Sequence, residues 1–416
     1  MAREQLISTG LQSGRKASFR FLLGSNTIEG FADSLTRTLL PILAVTVLGL
    51  GSEFLGALNA AGLAAFLLLG VPAGAVIDRL KNRRRVMTAA TCLRILVAAA
   101  LAISTFTGWL SGPLLLGAAI LVGISDVVFT TALSTVIPRV ASTGNLKHAY
   151  SQLAVATQTA STVAAAAAGA LLGVLGMGAA LVAAAVSYGM SAVLQLGIRL
   201  GSAPAPATGA AAETGRDLSS GFRALRSSPA LWALTVSGAL TNAGAMLGNT
   251  VLPVFILRDL EIAPPLFAGL GALGAAGAIG GAAAAPFLTA AWGLRNLRTG
   301  AAAASGLCVA AAALCPWLPG PTLAWLAVQS LGWSFLVSVS GVAGAEVLPR
   351  SVAPGKLASV AAAQRTFTLG VMPVAALLGG AAAGLAGPVP LLIVWIVLAC
   401  AAAVPVMRSR ELAEFR

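Results

Sequence analysis

The chain has 416 residues, of which 58% are hydrophobic and only 9% are charged, and its formal net charge is +13. Soluble globular proteins carry about a quarter charged residues, so this composition excludes an ordinary water-soluble enzyme or binding domain. The mean hydropathy of +0.91 instead indicates a protein embedded in a lipid bilayer.

Twelve apolar segments along the chain are long enough to cross about 30 Å of hydrocarbon as helices. In chain order they are 20–48, 54–77, 86–107, 113–136, 149–172, 177–198, 230–256, 264–288, 299–317, 321–345, 357–382 and 388–407. Only helices and closed barrels satisfy their backbone groups in hydrocarbon, and the short alternating strands of a barrel are absent from the sequence. The predicted fold is therefore an all-α membrane protein with 12 transmembrane helices.

The first predicted helix carries Glu29, Asp33 and Arg37 at positions i, i+4 and i+8, so the three charges share one helical face. Each charge at bilayer depth costs about 2.5–3.5 kcal/mol on insertion scales, and such residues face an interior cavity. Two interpretations stay open. The stripe is a proton-coupling site, with Asp33 the first choice and Glu29 the second, or an Asp33–Arg37 bridge merely holds the helices together. Asp126 in predicted helix 4 is a further proton or cation site, or a partner for Arg94.

The cations cluster in every second connection. The N-terminus, the tail and the loops after predicted helices 2, 4, 6, 8 and 10 hold 22 of the 26 Lys and Arg residues, whereas Arg258 is the only cation in the other loops. This asymmetry predicts that both termini are cytoplasmic, in an inner or plasma membrane. Nucleic-acid binding would need a basic patch with aromatic residues on a soluble domain, so no nucleic-acid partner is expected.

An internal repeat organises the chain. TLLPI at 38–42 recurs as TVLPV at 250–254, and VIPRVASTGNLKHA at 136–149 recurs as VLPRSVAPGKLASV at 347–360. The two pairs have nearly the same offset, which indicates two six-helix halves in the same orientation. The predicted domains are an N-terminal bundle over 1–199, a flexible cytoplasmic linker over 200–228 and a C-terminal bundle over 229–416.

The second half offers uncharged polar groups, namely Asn242 and Asn249 in predicted helix 7 and Gln329 with Trp333 in predicted helix 10. Amides and an indole suit a bulky amphipathic ligand better than a small anion, which would need Arg or Lys facing the cavity. We predict that these four residues line the substrate pocket. The alternative is that they form hydrogen bonds between helices.

The stretch GAVIDRLKNRRRVM at 74–87 lies between predicted helices 2 and 3. It is similar to the pattern G-x-x-x-D-R-x-G-R-R/K of the major facilitator superfamily, through Gly74, Asp78, Arg79 and Arg83, and the chain resembles that superfamily along its whole length. Arg94, the Pro-Arg turns after helices 4 and 10, and GFRALRSSPALWAL at 221–234 resemble its macrolide-exporter-like branch.

The resemblance implies two six-helix bundles that rock about a site at their interface. It also implies that Gly74 lets helix 2 approach helix 11, and that Asp78 faces the N-terminus of helix 11 and pairs with a basic residue such as Arg139. With Arg79 and Arg83, these residues would form a latch that closes the cytoplasmic side in one state. The loop cations have a second interpretation, in which they only anchor the topology.

The function predicted from these observations is secondary active transport by alternating access, with proton-coupled export of an amphipathic small molecule such as a drug-like compound or secondary metabolite. The protein is expected to act as a monomer in the bilayer, without enzymatic activity, metal or cofactor; His148 is the only histidine. The alternatives are a proton-coupled importer of a small solute, a channel, and a non-transporting membrane sensor on the same fold.

Overall fold

The computed structural model describes residues 2–80, 82–140, 146–199, 221–352 and 357–414. These residues form helices and turns and contain no strand, which confirms the predicted all-α class. The long helices are α1 Ala2–Ile42, α2 Ser52–Arg79, α3 Arg83–Thr107, α4 Gly112–Val140, α5 Leu146–Val174, α6 Gly176–Leu196, α7 Pro229–Val254, α8 Pro264–Trp292, α9 Leu294–Leu314, α10 Thr322–Gly344, α11 Leu357–Ala386 and α12 Pro388–Ala401. Short helices cover Val347–Ser351 and Ala403–Arg408.

Within the described residues, 11 helices are long and apolar enough to cross a membrane. They include every long helix except α2. The protein is therefore a multi-pass membrane protein, and the predicted number of twelve spans stays a prediction. The predicted linker over 200–228 lies outside the described part of the chain up to residue 220, and residues 221–227 form a short helical stretch.

The chain divides into two compact units. Unit 1 contains Met1–Leu48 and Ala61–Thr208, and unit 2 contains Gly49–Ala60 and Gly209–Arg416. In unit 1, α1 packs against α5 and α6, and α3 packs against α4 and α6. In unit 2, α7 packs against α11 and α12, and α9 packs against α10 and α12. These four pairings of described helices correspond in chain order between the two units.

The start of α2 belongs to unit 2, because it packs closely against α11. A Cβ atom at Gly56 would lie 2.9 Å from the Cα atom of Gly380, so only glycine allows the two backbones to approach this far. Next to this contact, the Asn59 side chain donates hydrogen bonds to the Asn249 carbonyl and the Thr250 hydroxyl, both at 3.4 Å.

The repeated Pro41 and Pro253 produce the same local structure in both units. Each proline lies near the end of its helix, and a five-residue π-helical turn follows, Leu43–Val47 after α1 and Phe255–Asp259 after α7. Proline has no backbone N–H and crowds the preceding turn, so the helix widens into a π-helical turn there. The short motifs TLLPI and TVLPV therefore have the same structural role.

Candidate functional site

A group of five charged side chains lies inside unit 1. We call it the charged cluster, and it consists of Glu29, Asp33 and Arg37 on α1, Arg94 on α3 and Asp126 on α4. The spacing of the first three along α1 brings them to one face, as predicted. That face is turned toward α3 and α4, which supply the other two residues.

Arg94 is the centre of the charged cluster, and only 1% of its surface is exposed. Its Nη1 donates to Glu29 Oε1 at 2.8 Å and to Asp33 Oδ2 at 3.0 Å. Its Nη2 donates to Asp126, and its Nε donates to the Ser125 hydroxyl at 2.8 Å. One guanidinium therefore joins carboxylates from two helices, using the fork of donors that distinguishes arginine from lysine.

Arg37 forms an ion pair with Asp126. The structure therefore does not contain the Asp33–Arg37 bridge that was one interpretation of the α1 stripe, because Asp33 pairs with Arg94. Asp126 is a partner for Arg94, which was one of its two interpretations, and its carboxylate also binds the guanidinium of Arg37.

Uncharged groups surround the carboxylates. The Tyr188 hydroxyl donates to Asp33 Oδ1 at 2.6 Å, and the Thr91 hydroxyl donates to Glu29 Oε1 at 3.0 Å. The Gln195 amide donates in turn to the Thr91 hydroxyl at 2.9 Å. Glu29 Oε2 is buried and has no hydrogen-bond partner among the described residues.

The charges of the cluster do not balance. Three carboxylates face two guanidinium groups, so the cluster has a net charge of −1 when every group is ionised. An uncompensated charge inside a membrane protein is costly, and binding of one proton makes the cluster neutral. The arrangement can therefore bind and release a proton.

The sequence did not reveal Tyr188 as a site residue, and only Asp126 was considered as an ion-pair partner for Arg94. Arg94 could have been found, because a lone arginine inside a predicted span needs buried anionic partners. Tyr188 carried no such signal, since a tyrosine in an apolar helix has no charge to compensate.

The predicted latch is described only in part. The surroundings of Gly74 and the side chains of Asp78 and Arg79 lie outside the described part of the structure, so their contacts stay predictions. Arg83, at the start of α3, is buried with 5% of its surface exposed. Arg139, in the last turn of α4, is partly buried and lies within electrostatic range of Arg83.

The four polar residues predicted for the substrate pocket do not converge. Asn242 donates to the Thr368 carbonyl of α11 at 3.0 Å, whereas Asn249 is exposed. Gln329 and Trp333 are buried, and Trp333 lies in the apolar core of unit 2, where its ring centroid is 4.8 Å from that of Trp395. The last contact is an edge-to-face aromatic pair.

A large apolar cavity of about 860 Å³ lies between α7 and α11 in unit 2. We call it the apolar cavity. Its walls include Val236, Leu240 and Val371, and two aromatic rings, Phe222 and Phe367, stand beside each other with a centroid distance of 6.3 Å. This volume is within the range of small-molecule binding pockets.

Long apolar helices that enclose buried charges are typical of polytopic membrane proteins. The chain belongs to the Major Facilitator Superfamily, whose family model matches residues 22–376. The resemblance found in the sequence is thereby confirmed at the level of the superfamily, and the protein is a transporter rather than an enzyme. The match does not extend to the macrolide-exporter-like branch. No curated protein sequence matches the chain significantly.

Solved structures with the same fold cover nearly the whole chain. A bacterial homologue of the iron transporter ferroportin has a TM-score of 0.74 at 14% identity, over 94% of this chain and 99% of that one. The nucleoside transporter NupG has a TM-score of 0.72 at 14% identity, over 96% and 100%. A bacterial homologue of the lysosomal transporter Spinster has a TM-score of 0.70 at 16% identity, over 96% and 98%. At these identities the similarity defines the fold, whose members transport chemically unrelated substrates.

Proposed function

We propose that the protein is a proton-coupled secondary transporter that exports an amphipathic small molecule by alternating access, as a monomer in the inner or plasma membrane. The observation that carries this proposal is the charge imbalance of the charged cluster. A purely structural network would be expected to pair each carboxylate with a cation, because an unpaired buried charge costs stability. Here one carboxylate exceeds the number of guanidinium groups.

Asp33 is the proton carrier in this proposal. If Asp33 is protonated, Glu29 keeps Arg94 and Asp126 keeps Arg37, so each remaining carboxylate has its own guanidinium. Asp33 also has the greatest access to water, because its side chain is 22% exposed, compared with 16% for Asp126 and 2% for Glu29. A proton carrier must exchange with water, so Glu29 is the second choice.

Protonation of Asp33 changes the contacts between helices. Ionised Asp33 accepts hydrogen bonds from Arg94 on α3 and from Tyr188 on α6. Charge-assisted hydrogen bonds are stronger than neutral ones, so neutral Asp33 holds α1 less tightly against both helices. The proton can therefore bias a conformational equilibrium, which any coupled transporter requires.

The apolar cavity is the site that we propose for the apolar part of the substrate, instead of the surroundings of Gln329 and Trp333. Its walls carry hardly any polar surface, which favours a hydrophobic or amphipathic molecule over a sugar or amino acid. The lining residues on α7 and α11 lie at 236–243 and 363–371, nearer to the N-terminal ends of these helices than to their C-terminal ends. The positive-inside rule predicts that the N-terminal ends are cytoplasmic, so the site suits capture of a substrate for export.

The experiment that tests the proposal uses everted membrane vesicles or proteoliposomes with an acidified lumen. A panel of amphipathic compounds is first screened by thermal stabilisation of the purified protein, and a stabilising compound then serves as the substrate. The native protein should accumulate it in the lumen against its gradient. Asp33→Asn should still exchange it down its gradient but lose accumulation, because only the proton site is removed.

Asp259→Asn is the matched control, since Asp259 is an exposed aspartate in unit 2 and should keep full accumulation. If Asp33→Asn still concentrates the substrate in response to the pH gradient, the proton travels elsewhere, and Glu29→Gln is the next variant. A native protein that carries substrate only down its gradient would instead be a channel or facilitator, and one that carries none would be a sensor.

A further inference from the structure

A second cavity in unit 2 is polar and is lined by a partly buried cation, Arg298. We call it the polar pocket; its volume is about 160 Å³, and it lies between α7, α9 and α10. Its hydrogen-bonding side chains are Ser237, Thr241 and Asn242 from α7, Arg298 and Ser305 from α9, and Ser340 from α10. A single water molecule fills about 10–15 Å³ of such space, so the pocket has room for a group much larger than water.

Arg298 has few partners for its five N–H donors. Its Nη1 donates to the Ser340 carbonyl at 2.9 Å, and its Nε is buried without a hydrogen-bond partner in the described part of the chain. The Ser340 carbonyl belongs to the last turns of α10, so this bond serves the negative end of a helix. This bond uses one N–H group of the guanidinium and leaves the other N–H groups available for another acceptor.

No described carboxylate lies within ion-pair distance of Arg298. The nearest comparison is Arg94 in unit 1, which has three carboxylate partners. α7, α9 and α10 are the repeat equivalents of α1, α3 and α4, but Arg298 lies near the start of α9, whereas Arg94 lies in the middle of α3. In unit 1 the acids are built into the chain, whereas the polar pocket presents hydroxyls and an amide around its cation.

We propose that the polar pocket binds a small oxyanion of the carboxylate or phosphate class. Arg298 supplies the charge and a planar pair of donors that matches such an anion. The hydroxyls of Ser237 and Ser340 and the second amide N–H of Asn242 supply further donors. The Thr241 and Ser305 hydroxyls instead donate to the Ser237 and Ala302 carbonyls. The anion pairs with a guanidinium whose buried Nε has no partner among the described residues, and an unpaired buried polar group is costly.

The polar pocket is a separate site from the apolar cavity. The residues of α7 that line the apolar cavity are Val236, Ala239, Leu240 and Ala243, and those that line the polar pocket are Ser237, Gly238, Thr241 and Asn242. At about 100° per residue these two sets lie on opposite faces of α7. The anion is therefore a second ligand of unit 2. Its binding can be measured whether or not the protein transports a substrate or couples to protons.

Binding is tested on the full-length protein, purified in a neutral detergent, with benzoate and inorganic phosphate as probes. Isothermal titration and thermal stabilisation should show binding of at least one of these anions and none of benzamide, the uncharged analogue of benzoate. Arg298→Gln should weaken anion binding at least about tenfold, since it removes a charge-assisted hydrogen bond. Arg298→Lys keeps the positive charge but lacks the planar pair of donors, so its anion affinity should lie between those of the native protein and Arg298→Gln.

Arg295→Gln is the matched control, because Arg295 lies on the same helix and does not line the polar pocket, and it should bind the anion as the native protein does. If Arg298→Gln does not fold, Ser237→Ala replaces it. That variant removes one hydroxyl donor of the polar pocket and should weaken binding about three- to tenfold.

The source of the anion is distinguished in nanodiscs. If a lipid headgroup occupies the polar pocket, phosphatidylglycerol should compete with benzoate in the native protein, whereas phosphatidylcholine alone should not. If the ligand is a free anion, both lipids should give the same affinity. The proposal is overturned if the native protein binds neither probe in detergent and in phosphatidylcholine nanodiscs, or if Arg298→Gln binds the anion as tightly as the native protein.

Discussion

Arg94→Gln is the substitution that most directly probes the charged cluster. Arg94 is buried and forms ion pairs with Glu29, Asp33 and Asp126, the first two at 2.8 and 3.0 Å. Removing one partner of a buried ion pair costs about 3–5 kcal/mol, because the remaining charge is left uncompensated. We therefore expect Arg94→Gln to lower the stability of the protein by about this amount.

Arg37→Gln provides a control with the same change in charge. Each substitution leaves three carboxylates and one guanidinium in the charged cluster, but the Arg37 side chain is 59% exposed and its partner Asp126 keeps Arg94. Exposed ion pairs contribute about 0–1 kcal/mol. A difference between the two variants therefore measures the burial of Arg94 rather than the net charge.

The assay is thermal unfolding of both variants in a neutral detergent at two pH values. In Arg94→Gln, the folded protein should bind more protons than the unfolded chain, because protonation removes the uncompensated charge. Stability then falls as the pH rises, so the defect should be larger at about pH 8 than at about pH 5. The reasoning is refuted if both variants lose the same stability, or if the defect of Arg94→Gln is independent of pH.

Two further predictions concern transport. Tyr188→Phe removes the 2.6 Å hydrogen bond to Asp33. Ionised Asp33 then loses a donor, so the pH at which transport is half-maximal should move upward. An unchanged pH profile would exclude Tyr188 from coupling. Asp78→Asn should abolish transport while expression and substrate binding persist. Cysteines on the cytoplasmic side should become more accessible to a thiol reagent. Unchanged transport would mean that the loop at 74–87 only anchors the topology.

The sequence by itself determined the class of the protein. Apolar runs of about 20 residues cannot remain in water, so their length and number define a helical membrane protein without reference to any tertiary contact. The repeat of TLLPI as TVLPV is equally local, because a proline near a helix end perturbs the backbone wherever the helix packs. The three charges of α1 could likewise be placed on one face from their spacing alone.

The partners of those charges were decided only by the tertiary structure. Arg94 lies 65 residues from Glu29 and 61 from Asp33, and no periodicity along the chain predicts which helices meet. The i, i+4 spacing left an Asp33–Arg37 bridge open as one interpretation, but helix packing brings Arg94 to Asp33 and Asp126 to Arg37. Burial also separated Trp333, which packs in the core, from residues that line a cavity. A polar side chain in an apolar helix can satisfy its hydrogen bonds toward a neighbour or toward a ligand, and only the positions of the neighbouring helices decide between the two.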